Sequence, residues 1–508
     1  MPSKQDSVQA TDAETLAKFG YKQELFRQMG GFSNFAISFS IISILTGLIS
    51  MFGYGVSLVG GAAYFTWVVV AFFQLFNAMT MGEMASSFPL AGGLYPWARH
   101  LASPRVGWWV GWINMIAWWS VSVAIDFSLG TLIAGSGWFF PATQAALPEV
   151  IITIIIMTIH AVMNIFGIKL VAWFNNFSVW VHMIGTVMLL TLLLVLGNAH
   201  HTALPLSTIV NTATPDNPNG LTGGQFFLAF LPAILMSAWT LTAFDASADV
   251  SEETKDPQHT VPWGMVIAVV ASFIFGTLVL FGLISNLPPL AQIPGIMETQ
   301  GLATYIVQNV MGPGLGLVML AIIALAQFAC GLSSQTVFQR VIYSLARDNN
   351  LPFSQHLKKV SKRGAPFVAT IVGTIAMALL TIGASVLSTV TSIATLGFYF
   401  GYFIVIILAM RARLSGRWTE RGPWNLGKFW IPVAIVAILW NLYISVAVVL
   451  PPNFITLEIF GGIMVALAIY YFAFMHKRLS DKVGELTADE IEKLARANEE
   501  AIAGATAS

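Results

Sequence analysis

Long apolar runs recur along this 508-residue chain, separated by short polar segments. Twelve runs are long enough for a hydrocarbon core about 30 Å thick, which takes roughly 20 residues of helix to cross. They lie near residues 32–58, 64–86, 105–134, 148–169, 171–197, 224–249, 262–285, 313–345, 365–384, 386–410, 429–450 and 454–475. The joining segments then alternate between two sides. All 24 Lys and Arg fall on one of them: Lys4, Lys18, Lys22 and Arg27, then Arg99, Arg105, Lys169 and Lys255, then the clusters at 340–363, 411–428 and 477–496. One missed or invented span would scatter these charges over both sides. Basic loops stay cytoplasmic during insertion, so the pattern predicts an all-α polytopic membrane protein with both termini inside.

Composition changes this picture little. The chain is 56% hydrophobic and only 9% charged, with mean hydropathy +0.75, against roughly 25% charged residues in a soluble domain. Zero formal net charge gives no reason to expect nucleic acid as a partner. The single cysteine, Cys330, excludes an intramolecular disulfide. The polar first 30 residues lack the apolar core of a cleavable signal peptide. Residues 1–31 and 476–508 are expected to be cytoplasmic, the latter a charged helix with frayed ends. Residues 198–223 and 286–313 form the larger segments on the other side, the second with a short helix near 302–311.

Small and hydroxylated residues interrupt spans one and six. Span one holds Ser43, Thr46 and Gly47; span six holds Ser237, Thr240 and Thr242 and runs into Asp245. Such residues serve close helix packing or mark a helix whose freed backbone groups line a binding cavity at the bilayer midplane. The two spans are five apart, as two five-helix inverted repeats would place them.

Ionisable groups inside a membrane are rare and functional by default. Glu83 sits at one end of span two, where pairing is the simplest role. Asp126, in span three, shares a helical stripe with Trp118, Trp119 and Ser122. A carboxylate there is protonated or finds a cation, either a ligand ammonium assisted by the Trp faces or a proton. His160 and His182 lie within spans four and five, and His182 is a candidate titrating group. Ser333 and Ser334 in span eight offer hydroxyls to a sodium ion or to their own helix. No metal-ligand spacing or phosphate loop is present, and no cofactor is expected.

Four segments together resemble the amino acid–polyamine–organocation superfamily, most closely its amino acid/choline transporter branch. They are the run from Phe35 to Gly47, Pro89 to Tyr95 with Gly92 and Gly93, Ser251 to Pro257 with Glu252 and Glu253, and Arg340 to Asp348. The resemblance covers about residues 20–475. It implies a transporter domain at 32–475, with inverted repeats at 32–197 and 224–410, broken helices one and six, and spans eleven and twelve (429–475) appended. The substrate would lie between spans one and six, opposite three and eight. Thr46, Gly47 and Leu48 would receive a carboxylate, and carbonyls of Ala238, Trp239, Thr240 and Leu241, beside Thr242, an ammonium. Trp239 would be an aromatic lid and Asp245 a gate acid. Ser122 and Ile125, with Asp126 beside them, would face substrate. His182 falls where many sodium-independent relatives carry a lysine, with Ser333 and Ser334 on the span-eight side of the same site. The family's glycine pair at the first break is reduced here to Gly47.

These expectations amount to a secondary transporter of the cytoplasmic membrane, importing a small amino acid or amine such as GABA, an ethanolamine- or choline-like amine, or a polyamine. Proton symport through His182 is the leading coupling, with exchange and sodium symport as alternatives. A membrane enzyme would need a clustered nucleophile, base or metal set, and a sensor of the same fold would bind without accumulating.

Overall fold

The computed structural model describes residues 4–136, 138, 146–200, 203–299, 301–383, 387–451, 453–479 and 487–507. Part of the tail expected to be helical, residues 480–486, lies outside them. Among the described residues no strand forms, only an isolated bridge between Met29 and Thr254. Ten apolar stretches there are long enough to cross a bilayer, and Phe367–Ile382 is a shorter one. The first of the ten, Gly31–Ser87, runs 57 residues. That is more than twice the roughly 20 residues one passage takes, and the chain turns at Gly60–Ala62. It therefore makes two passages, which gives twelve.

Span one is two helices, Gly31–Ile42 and Gly47–Val59. Span six is Gly223–Ala233, Leu235–Thr240 and, after a second break, Ala246–Asp249. The others are Ala63–Ser87, Pro104–Ser136, Ala146–Phe166, Ile168–Ala199, Pro257–Ile284, Leu302–Arg347, Phe367–Gly383, Leu387–Leu414, Trp430–Ala447 and Phe454–Tyr470. Span eight carries the expected extra helix in front of it, set off by a kink at Gly312 (φ 73°). The turn between spans four and five falls at Gly167, three residues before its expected place. Its φ of 111° suits a glycine and not the flanking Ile168 or Lys169.

Residue-level repetition between the halves is weak, but the packing repeats. Moving every span on by five maps many of the neighbouring pairs onto neighbouring pairs. Three with ten becomes eight with five, three with four becomes eight with nine, and four with eight becomes nine with three. One with five becomes six with ten, while two with seven and four with nine map onto themselves. Spans eleven and twelve pack on ten from outside this pattern. Large apolar side chains such as Ile155, Trp173, Ile274, Leu379 and Ile469 remain exposed around the bundle. In water that would be a liability; in lipid it is the expected outer surface.

The face bearing the basic loops is heavily cross-linked. Arg340 forks onto both oxygens of Glu253 at 2.8 and 2.9 Å with neither side chain exposed. Arg347 does the same to Glu252 at 2.8 and 2.9 Å. Asp348 accepts from Tyr21 and Tyr95 and pairs with Arg99 at 3.0 Å. Glu83 is a pairing residue, held by Arg413 at 2.6 Å and by the Leu426 amide. The segment before span one lies across this closure: Gln28 and Met29 donate to the Glu253 carbonyl, and buried Arg27 to that of Thr254.

Four short helices escaped the hydropathy pattern: Lys4–Lys18, Leu94–Leu101, Ile293–Thr299 and Ser354–Leu357. The first packs against the C-terminal helix, Ala488–Ala507. Asn498 joins them, accepting from the Gln23 amide at 2.7 Å and donating to the carbonyls of Tyr21 and Ala13 at 3.1 and 3.3 Å. Asn498→Ala leaves three buried backbone groups short of a partner, at about 1–3 kcal/mol for a lost buried bond. Amide hydrogen exchange is expected to speed up at residues 13–23 and not in the spans; unchanged exchange there would contradict the clasp.

Candidate functional site

The break in span one begins where Ser43 enters the left-handed region (φ 40°, ψ 73°), its amide still bonded to the Phe39 carbonyl. The amides of Thr46 and Gly47 both return to the Ser43 carbonyl, and that of Ser50 to Thr46. Leu48 and Ile49 therefore stand where a helix start leaves amides without intrahelical acceptors, at the positive end of the second half-helix. In span six the chain leaves the helix after Thr240, and Ala243 takes a left-handed conformation (φ 59°). In an unbroken helix the Ala243 amide would bond the Trp239 carbonyl. It donates to the Tyr402 hydroxyl instead, at 3.2 Å, which frees the Trp239 carbonyl.

The two breaks face each other. The second half of span one packs on the first half of span six, and the two remaining halves pack together likewise. Beside the breaks the contact is tight at Gly47, where an added Cβ would lie 2.8 Å from Thr240 Cγ2 and 2.9 Å from its hydroxyl. Between the breaks is a cavity of about 20 Å³, floored by Ile41, Ile42, Thr46 and Gly47 and walled by Trp239, Thr240, Thr242 and Ala243. Val121, Ala124, Ile125 and Ser128 of span three close one side, Gln327 and Cys330 of span eight another. A second, more polar cavity of about 400 Å³ shares Thr46, Ser50, Ser128, Gln327 and Leu387 with it and extends past Thr131, Ser136 and Glu149. The small cavity thus opens away from the basic face, which the ion pairs close.

Of the residues singled out from sequence, Thr46, Gly47, Ile125, Trp239, Thr240 and Thr242 line the cavity. Leu48, Ala238 and Leu241 are buried behind it. The Ala238 carbonyl already accepts from Tyr399 and the Leu241 carbonyl from Gln74, so the carbonyl of Trp239 is the more available one. Asp245 lies below the break, accepting from the Tyr402 hydroxyl. Ser122 and Asp126 are fully buried and do not line the cavity; Asp126 faces His160, with 3.4 Å from Oδ1 to Nδ1.

His182 reaches span one directly. Its Nδ1 lies 2.8 Å from the Ser178 carbonyl and its Nε2 2.8 Å from the Ser43 hydroxyl. A carbonyl only accepts, so Nδ1 carries the proton and Nε2 accepts from Ser43. The Thr46 hydroxyl donates to Ser43 Oγ at 2.5 Å. A hydrogen-bond chain therefore runs from the cavity wall at Thr46, through Ser43, to His182. Ser333 donates to Asn175 on span five and Ser334 back to Gly331, while Cys330 donates to the Ile41 carbonyl at 3.2 Å.

Ser128, Gln327, Cys330 and Thr391 were missed as lining residues. Ser128 lies one turn from Ile125, and Gln327 and Cys330 lie two turns and one turn before Ser334, so following those helical faces would have found three of them. Thr391, on span ten, has no such marker.

Residues 29–474 match the amino acid permease family. The chain is 33% identical over 498 residues to the amino-acid permease BAT1 of Arabidopsis thaliana, covering 91% of this chain and 94% of that one. It is 30% identical over 471 residues to a GABA-specific permease of Saccharomyces cerevisiae, covering 87% and 78%. A putative polyamine transporter of Candida albicans is 26% identical over 460 residues, covering 85% and 81%. With a transporter's broken helices and relatives named as permeases along nearly its whole length, this multi-pass chain belongs to the amino acid permease family.

Proposed function

We propose that the protein is a proton-coupled importer of a small amino acid or amine, working by alternating access in the cytoplasmic membrane with its basic face inward. Residues 32–475 form the transport domain. The observation that carries this reading is the cavity enclosed by two facing helix breaks. There the amide end of one half-helix suits a carboxylate, and the carbonyl ends of two others suit an ammonium group. Trp239 covers that space as a lid. The path to the basic face runs through Asp245 and the Glu252–Arg347 and Glu253–Arg340 pairs, which must part for release.

Coupling is assigned to His182. A proton taken by Nε2 turns that nitrogen from acceptor to donor, so Ser43 must turn its own hydrogen away from the ring; the neighbouring Thr46 hydroxyl can accept it, which turns the Thr46 hydrogen in its place. The charge on His182 thereby reaches a hydroxyl that lines the cavity. Sodium coupling through the hydroxyl oxygens of Ser333 and Ser334 is the second reading.

The test is counterflow in proteoliposomes with labelled GABA, neutral and basic amino acids, ethanolamine, choline and putrescine. Zwitterions exchanging while amines without a carboxylate do not would support the amide end of span one as the anchor. The reverse would place the recognition on the carbonyl side, and no exchange of any of them would remove the reading.

A further inference from the structure

Asp126 and His160 have no part in the cavity, yet both are wholly buried inside the membrane domain. Among the described residues, neither Asp126 oxygen has a hydrogen-bond partner, and neither does either ring nitrogen of His160. Their closest approach is 3.4 Å, Oδ1 to Nδ1, and among the described residues no Lys or Arg pairs with either. The Phe328 ring of span eight stands edge-on to His160, centroids 4.3 Å apart. A Cβ on Gly331 would overlap the Asp126 carboxylate and crowd the imidazole. This glycine is what lets span eight close over the pair.

A bare carboxylate without a donor or water is not sustained in such a place. An imidazole facing it supplies the remedy in either of two forms, carboxylic acid against neutral ring or carboxylate against imidazolium. Both hold one proton and no net charge. Gain of a second proton leaves one uncompensated positive charge, and loss of the first leaves a negative one. The two groups must therefore hold that one proton between them.

Among the described residues, no other acid or base takes over this role. Span four carries Glu149 eleven residues from His160, about 16 Å along the helix. On span eight, Cys330 donates to Ile41, and Arg340 is bound to Glu253. Span five brings Lys169 at its end and His182, which is bonded to Ser43 and Ser178. Span nine has no titratable residue. Span ten has Tyr399 and Tyr402, bonded at span six, and Arg411 and Arg413 at its far end. The short helix Leu94–Leu101 brings Tyr95, Arg99 and His100 to the opposite end of span three, with Arg105.

We infer that Asp126 and His160 form a second proton-binding site, distinct from His182, that holds one shared proton behind the cavity wall. Asp126 follows Ile125 and Gly331 follows Cys330, both wall residues. Any movement of span eight against span three at the cavity therefore changes the packing around the shared proton. Asp126 serves as a proton carrier and not as an anchor for substrate. Its part in transport rests on the proposed function; the site itself does not.

The test needs no substrate: pH-difference infrared spectroscopy on the purified full-length protein in nanodiscs, with isotope-labelled histidine. Asp126→Asn is expected to remove one protonated-carboxyl band and to move the titration of one histidine. His160→Gln is expected to shift that carboxyl's midpoint by more than about one pH unit, the mark of a coupled pair. His182→Gln leaves both signals in place. Gly331→Ala keeps both groups but shifts the shared midpoint, so the proposal stays testable if an Asp126 variant does not fold. A histidine signal unmoved by Asp126→Asn, or a carboxyl midpoint unmoved by both His160→Gln and Gly331→Ala, overturns the site. Coupled titration in a protein without proton-driven uptake would keep the site and defeat the transport reading instead.

Discussion

Arg340→Met is expected to destabilise the protein by about 3–5 kcal/mol, the usual cost of breaking a buried ion pair from one side. Arg340 and Glu253 are both 0% exposed, and the guanidinium fork fills both carboxylate oxygens. Arg340 also donates to Asn164 on span four at 3.2 Å and to the Thr336 carbonyl at 3.3 Å. Its loss leaves Glu253 buried and unmatched, while Asn164 keeps only the Thr336 hydroxyl as a donor. Replacing both members is expected to recover much of the loss, because an apolar pair of similar volume removes the desolvation penalty altogether. A double-mutant cycle by chemical or thermal unfolding in detergent reads this directly. A single variant within about 1 kcal/mol of wild type, the range of an exposed pair, would show that the closure of the basic face does not depend on this pair.

Gly47→Ala is expected to reduce uptake at least about tenfold, while leaving the protein folded. The added methyl would meet Thr240 at 2.8 Å, so spans one and six must separate where they enclose the cavity. Overpacking of this kind costs about 1–3 kcal/mol, which opposes the closed arrangement and not the helices themselves. Thr240→Ala removes the two atoms nearest the new methyl, so the double variant is expected to regain part of the uptake. Initial-rate uptake in proteoliposomes checks both. Full activity in Gly47→Ala would mean that the breaks do not close on each other during transport.

Most of the fold is written in the periodicity of apolar runs, because lipid makes every spanning helix satisfy its own backbone. The charge asymmetry of the loops then guards the count. What escaped has a physical cause in each case. Leu94–Leu101 and Lys4–Lys18 are stabilised by partners far along the chain, and neither has an apolar run of its own. The turn at Gly167 lies inside continuous hydropathy and is marked by one positive φ. The cavity was half legible: hydroxyls and a glycine mark the breaks, but a wall residue such as Thr391 becomes one only after packing. Asp126 drew attention as an uncompensated acid, while its companion lies 34 positions away on another span, in contact through packing that no local pattern encodes.

The two cross-linked motifs explain how the resemblance carries structure. Glu252 and Glu253 belong to the segment after span six, Arg340 and Arg347 to the end of span eight, and each acid meets one arginine. On the proposed alternating-access mechanism, release toward the basic face requires both forks to open together with the segment at 20–30 that crosses them. The Asn498 clasp adds the C-terminal helix to the same assembly.

The measurement that reaches the central claim most directly is accumulation in proteoliposomes under an imposed pH gradient, comparing wild type with His182→Gln and using the compound that exchanges best in counterflow. Wild type is expected to concentrate the compound when the outside is acidic and to stop when the gradient is collapsed. His182→Gln is expected to lose that accumulation while retaining counterflow, because the cavity between the breaks is intact and only the proton-accepting end of the Thr46–Ser43 chain is gone. Gradient-driven accumulation by His182→Gln equal to wild type would contradict the account.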